Sequence, residues 1–257
     1  MKRGVLFSGL FLLLLFPSPA AERQLSGWTS LYEPSNFKDL PYRLMKPANI
    51  ESGKKYPLII SLHGAGGRGD DNKKQLKKWN QQLTEDNIRK EFPCYVLAPQ
   101  SKGLWNKEQF LMTKEIIAQI PQVDMNRIYI MGHSMGGHGT FIWIQIEPDY
   151  FAAAAPSAGS GLKSTEKFID PEKIKNVPIW TFHGDEDKTC PYEKVVVLFG
   201  ELKKLGGNMK LTTWKGAGHG VSEKFIPGDK TGDTQLSSDK CDEESNFLKW
   251  LFKHRKK

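Results

Sequence analysis

The stretch that decides the fold is Gly132-His133-Ser134-Met135-Gly136. A run of β-branched and aromatic residues precedes it, and an apolar, helix-like run follows it. This context predicts a tight strand-to-helix turn that holds the serine in a strained conformation with its hydroxyl exposed. Because the residue after the serine begins a helix, the N–H of Met135 points to the place where an oxyanion would form. The pattern therefore predicts Ser134 as a nucleophile and Met135 as an oxyanion donor.

Two loops downstream contain the partners that a serine nucleophile needs. A serine hydroxyl is a weak nucleophile until a histidine takes its proton, and a carboxylate orients that histidine. The loop after the apolar run that ends at Phe182 contains three carboxylates, on Asp185, Glu186 and Asp187. His219 stands between small residues on a later loop. The order serine, acid, histidine is that of α/β-hydrolases.

Apolar runs and helix-like segments alternate along most of the chain. The runs that predict strands cover residues 56–62, 94–98, 127–131, 151–155, 177–183 and 210–214. The helix-like segments cover 108–120, 135–146, 192–205 and 245–253, and a thin apolar stripe within 68–92 predicts a further helix. This alternation predicts one α/β domain with a doubly wound, mostly parallel sheet flanked by helices. Residues 27–45 add one or two short edge strands, and residues 157–176 form at most a small cap.

These segments resemble the α/β-hydrolase superfamily, and more narrowly the secreted carboxylesterase-like hydrolases and predicted peptidases related to feruloyl esterases and polyhydroxyalkanoate depolymerase-type esterases. The resemblance extends from about Tyr42 to Phe252 and includes His63-Gly64-Ala65-Gly66 as an oxyanion loop. It implies a serine carboxylic-ester hydrolase that needs no cofactor. It also assigns the roles within the site: a catalytic triad of Ser134, Asp187 and His219, with Ala65 as the second oxyanion donor beside Met135.

The chain departs from the family pattern at two places. Cys190 stands before Pro191, where an aliphatic residue is usual, and residues 220–222 read Gly-Val-Ser instead of Asn-Ser-Trp. Both departures affect the expected shape of the acyl or leaving-group pocket. Trp105 and Trp214 follow predicted strands and either line this cleft or pack in the core.

Residues 1–20 are typical of a secretory signal. Lys2 and Arg3 begin the chain, residues 5–16 are apolar, and small residues precede a cleavage site after Ala20. The apolar run is too short to span a bilayer, although an uncleaved anchor is the alternative. We therefore expect a secreted or periplasmic catalytic domain over residues 21–257, with no stable membrane anchor after signal removal.

Cysteine content and charge limit the partners of the protein. Cys94 is expected in a buried strand, whereas Cys190 and Cys241 are candidates for a disulfide. The spacing of cysteine and histidine predicts no metal site. The formal net charge is +8, and the lysines within 73–78 predict a solvated helix face. No fold signature indicates nucleic-acid binding.

The pattern favours a small-molecule or glycan-borne ester as substrate, because no long insertion covers the predicted site. Two alternatives are a prolyl oligopeptidase-like serine peptidase and a non-catalytic binding module on a hydrolase scaffold. The first is disfavoured because no gating domain is present to exclude large proteins. The second is disfavoured because Ser134 and His219 are both present.

Overall fold

The computed structural model of this chain describes residues 27–160 and 169–256. The predicted secretory signal and residues 161–168 of the predicted cap segment lie outside the described residues. Within the two described ranges, every helix falls short of the length and apolarity that a membrane crossing requires.

A nine-stranded sheet forms the centre of the described chain. The strands are β1 (Tyr32–Phe37), β2 (Leu40–Met45), β3 (Tyr56–Leu62), β4 (Tyr95–Pro99), β5 (Val123–His133), β6 (Ala153–Ser157), β7 (Ile179–Gly184), β8 (Met209–Trp214) and β9 (Asp233–Leu236). Their order is β1-β2-β4-β3-β5-β6-β7-β8-β9. Strands β4 to β8 and β3 pair in parallel, whereas β1, β2 and β9 pair antiparallel at the edges. The predicted doubly wound, mostly parallel sheet is confirmed, and residues 27–45 supply the edge strand β1 and its neighbour β2.

Helices cover both faces of the sheet. They are α1 (Lys78–Gln82), α2 (Asp86–Glu91), α3 (Lys107–Gln119), α4 (Met135–Ile146), α5 (Pro171–Ile174), α6 (Tyr192–Lys204) and α7 (Phe247–Lys253). Alternate residues of β3 enter two different cores: Leu58 and Ile60 pack with α3, α4 and α6, whereas Ile59 packs with α7. Because successive side chains of a strand point to opposite faces, the two cores lie on opposite sides of the sheet.

Residues 68–92 form two short helices instead of the single helix that the apolar stripe predicts. The chain turns at Thr84, where the backbone N–H and the hydroxyl both donate to the carbonyl of Gln81. This local side-chain bond competes with continuation of the helix.

The three cysteines are free and buried, so the candidate disulfide between Cys190 and Cys241 does not form. Cys241 lies beside the start of β8, where its thiol donates to the carbonyl of Met209. Cys190 lies beyond the carboxyl end of β7, where its carbonyl accepts a bond from His183. Strands β7 and β8 are parallel, so the length of a strand separates the two sulfurs. Cys94 packs in the core, as predicted.

Candidate active site

Ser134 occupies the turn between β5 and α4. Its φ of 57° and ψ of −120° are strained for a residue with a side chain, at a cost of about 1–3 kcal/mol. The N–H of Ser134 donates to the carbonyl of Ser157 at the end of β6, over 2.9 Å. Its own carbonyl accepts the N–H of His138 at 2.9 Å. The strain is therefore held by bonds to both neighbouring elements.

The glycines after Ser134 allow the turn to sit against two strand ends. A Cβ at Gly136 would overlap the carbonyl of Leu62 in β3, and a Cβ at Gly137 would overlap the carbonyl of Ser157 in β6. Alanine at either position would push the backbones apart. The glycines thus place Ser134 at the carboxyl ends of the central strands, where α/β sheets bind their ligands.

Asp187 and His219 form a close pair. The Nδ1 atom of His219 lies 2.8 Å from Oδ2 of Asp187, whose side chain is fully buried. The other carboxylate oxygen accepts the backbone N–H groups of Thr189 at 2.8 Å and Cys190 at 2.9 Å. Burial opposes ionisation of Asp187, but these bonds outweigh it and hold the pKa of the carboxyl below its usual range. The carboxylate is therefore charged, and the Nδ1 of His219 carries the proton.

Asp185 and Glu186, the two acidic residues before Asp187, have different surroundings. Asp185 accepts the backbone N–H of Gly216 at 2.6 Å. This bond ties the loop that contains Asp185 and Asp187, the acid loop, to the loop that contains Gly216 and His219, the histidine loop. The side chain of Glu186 is exposed. Of the three carboxylates that the sequence offers, only that of Asp187 contacts His219 among the described contacts.

The predicted oxyanion loop lies beside Ser134. A Cβ built at Gly64 would stand 3.5 Å from the Cβ of Ser134. Ala65, the next residue, begins an exposed 3-10 turn. The ring of His63 holds this loop, since its Nδ1 contacts the carbonyl of Gly64 at 2.8 Å and its Nε2 accepts the N–H of Ser101 at 2.9 Å. Burial lowers the pKa of His63 to about 4, so the ring is neutral and Nε2 remains an acceptor.

Several residues around the site have roles that the sequence did not specify. Trp105 donates from its indole N–H to the carbonyl of His63 at 3.1 Å, so it supports the predicted oxyanion loop from the core. Trp214 is also buried and packs on Phe182. Of the two predicted places, both tryptophans therefore occupy the core. His183 contacts Asp187, and the only hint in the sequence is its position four residues earlier.

Cys190, the departure from the family pattern, lies next to the predicted nucleophile Ser134. The hydroxyl of Ser134 acts to lower the pKa of the Cys190 thiol. Burial nevertheless raises the pKa of the thiol to about 12. A neutral sulfur therefore stands where an aliphatic side chain is usual. Across the described residues, no group of three or more His, Cys, Asp or Glu is arranged to hold a metal ion.

Comparison with known proteins identifies the family. The model of the dienelactone hydrolase family matches residues 100–253, which is more than half of the chain. The chain belongs to the dienelactone hydrolase family. The matched residues include Ser134, Asp187 and His219, whereas Ala65 precedes them. The expected resemblance to α/β-hydrolase esterases is confirmed.

Proteins similar to this dienelactone hydrolase family member include an esterase, a thioesterase and a protein named as a peptidase. A thermostable esterase of known structure is 32% identical, with a TM-score of 0.68, over 89% of this chain and 64% of that one. Acyl-protein thioesterase 1 of Neurospora crassa is 36% identical over 112 residues, 42% of this chain and 44% of its own. The uncharacterized peptidase YuxL of Bacillus subtilis is 26% identical over 231 residues, 72% of this chain and 34% of its own. The chain thus spans less than half the length of these two curated relatives.

Proposed function

We propose that this hydrolase cleaves carboxylic esters through Ser134, His219 and Asp187, by way of an acyl-enzyme. The observation that carries the proposal is the 2.8 Å contact between His219 and the buried carboxylate of Asp187, near the strained turn that exposes Ser134. The likeness to a thermostable esterase and to an acyl-protein thioesterase supports acyl transfer.

In the proposed mechanism His219 moves one proton at each step. With Nδ1–H bound to Asp187, its Nε2 takes the proton of Ser134 as Oγ attacks the ester carbonyl. The bond to the alcohol oxygen then breaks, and His219 returns the proton to the leaving alcohol. Water attacks the acyl-enzyme while His219 takes its proton, and the acid leaves as Ser134 regains that proton. Asp187 stays ionised and stabilises the imidazolium throughout.

The oxyanion of each tetrahedral intermediate would accept the N–H groups of Met135 and Ala65. Met135 is the first residue of α4, so its N–H has no partner within the helix. Ala65 follows Gly64, which lies against Ser134. In well-studied cases removal of one such donor costs about 3–4 kcal/mol of transition-state stabilisation.

A panel of p-nitrophenyl esters from acetate to octanoate tests the proposal. Ser134→Ala should lower the rate by at least about 10³-fold, while Ser30→Ala, a matched change at an exposed serine, should leave it unchanged. A fluorophosphonate should label Ser134. Full activity in Ser134→Ala would require another nucleophile. Absence of both turnover and labelling would favour the binding-module alternative.

A serine peptidase is the second candidate, because a protein named as a peptidase aligns with 72% of this chain. An amide needs a stronger proton donor for its leaving amine than an ester does. Peptide anilides test this alternative. Cleavage of anilides together with labelling of Ser134, but without ester turnover, would favour the peptidase.

We also propose that the protein is exported and that it acts on a small-molecule or glycan-borne ester, without nucleic acid or a membrane anchor as partner. The basic, apolar and small residues of the first 20 positions support export. N-terminal sequencing of exported protein should begin at Ala21. Retention of residues 1–20 on membrane-bound protein would contradict this.

A further inference from the structure

His133 is the residue before the nucleophile, and its ring lies against the histidine of the predicted triad. The ring centroids of His133 and His219 are 4.8 Å apart, at an interplanar angle of 45°. The Nδ1 atom of His133 lies 3.0 Å from the hydroxyl oxygen of Ser157. His133 therefore touches both the end of β6 and the histidine loop.

Nδ1 of His133 and the hydroxyl of Ser157 form one hydrogen bond, and each of these two groups is able to donate or to accept. Burial and the neighbouring His219 lower the pKa of His133 to about 3, whereas Asp187 acts in the opposite direction. The ring is consequently neutral at ordinary pH.

The histidine loop is bonded to the acid loop at Gly216 and Ala217, before His219. Gly218 and Gly220 flank His219, and a Cβ at either position would meet nothing within 4 Å. The described contacts that fix His219 are its bond to Asp187, the N–H of Val221 on its carbonyl, and the ring of His133. The contact with His133 is the one that leads back to the nucleophile.

Ser157 connects the two sides. Its carbonyl accepts the N–H of Ser134, and its hydroxyl pairs with His133. We propose that His133 is a positioning residue: a neutral imidazole that links the His219 loop to Ser157 and thereby sets the position of His219 relative to Ser134. This inference rests on the proposed function.

The test compares His133→Phe, which keeps a ring but no hydrogen bonds, with His133→Gln, whose amide keeps a donor and an acceptor. His133→Phe should lower kcat on an ester substrate about 10- to 100-fold, because a shift of about 1 Å in a reacting group has this effect. KM should change less than about twofold, and fluorophosphonate labelling of Ser134 should slow in parallel. His133→Gln should recover most of the rate. His254→Phe, the same change in the C-terminal segment, is the matched control.

Ser157→Ala supplies a second, smaller change in case His133→Phe does not fold. It should lower kcat about three- to tenfold, and this effect should vanish when His133 is already Phe, because the two changes remove one shared link. Additive effects, unchanged kcat in His133→Phe, or a change confined to KM would each overturn the inference.

Failure of the positioning role of His133 can be distinguished from failure of the proposed function. An active, labelled wild type with an equally active His133→Phe variant would refute only the positioning role. A wild type that neither turns over esters nor reacts with fluorophosphonate would refute the proposed function.

Discussion

The Nε2 atom of His183 lies 3.2 Å from Oδ2 of Asp187, the same oxygen that accepts Nδ1–H of His219. His183 Nε2 is also 2.8 Å from the carbonyl of Cys190, and its Nδ1 is buried without a hydrogen-bond partner among the described residues. Burial lowers the pKa of His183, so the ring is neutral and its one proton is on Nε2. Two imidazoles therefore share one carboxylate oxygen.

Replacement of His183 by Phe should destabilise the acid loop. The carbonyl of Cys190 would lose its buried donor, so the free energy of unfolding should fall by about 1–3 kcal/mol in urea titrations. Ester turnover should also fall, because Asp187 loses one of the donors that fix it. His183→Gln retains an N–H and should recover part of both losses. A Phe variant as stable and as active as the parent would show that this contact is dispensable.

Asp187→Asn should remove most of the activity. An amide in place of the carboxylate favours the wrong tautomer of His219, which lowers kcat by about 10⁴-fold in the well-studied serine protease case. Asp185→Asn is the matched control, since Asp185 contacts Gly216 and not His219. Hydrolysis of esters by Asp185→Asn should stay within about tenfold of the parent, because the contact that is lost supports the loop and does not reach His219. A greater loss from Asp185→Asn would reassign the acid.

His138 should make the fold acid-sensitive. It is 3% exposed in α4, and burial lowers its pKa to about 4 from the usual histidine value of 6.5. Between these values the unfolded chain binds a proton that the native ring does not, so stability falls as the pH falls. His138→Leu should therefore lose about 2 kcal/mol less than the parent between about pH 7 and about pH 4.5 in urea titrations. His63 and His133 still titrate in both proteins, and parallel losses would contradict the prediction.

Two glycines of the α6 region should respond to alanine in opposite directions. Gly200 lies within α6, and a Cβ there meets nothing within 4 Å, so Gly200→Ala should stabilise the protein by about 0.5–1 kcal/mol. Gly206 has a φ of 59° after the helix end, so Gly206→Ala should destabilise it by about 1 kcal/mol. Thermal unfolding of both variants checks the pair. A shift in the same direction would show that α6 ends differently.

The buried strands are predictable because of where they lie. Every residue of β3, β4, β6 and β7 is buried, so each strand is covered on both faces and reads as a small or apolar run. The turn at Ser134 is predictable for a similar local reason, since close contact between backbones requires glycine at Gly136 and Gly137.

Other features depend on contacts that a local pattern does not encode. Strand β9 reads Asp-Thr-Gln-Leu and is largely exposed, and it forms by antiparallel pairing with β8. No hydrophobic alternation marks it in the sequence. The contacts of His183 and His133 arise where three loops converge, and a single histidine gives no sign of its partner. The distance between Cys190 and Cys241 likewise depends on the strand that separates them.

The turn at Ser134 packs tightly between β3 and β6, and this packing limits the positions at which mutagenesis can alter substrate preference. Libraries that vary Gly136 or Gly137 would lose most members to collisions with the Leu62 and Ser157 carbonyls. Gly66 and Gly220, on the two loops that flank the turn, have open space where a side chain would stand. Substitutions at these two glycines are therefore more suitable for changing substrate selectivity, because they leave the position of Ser134 unchanged.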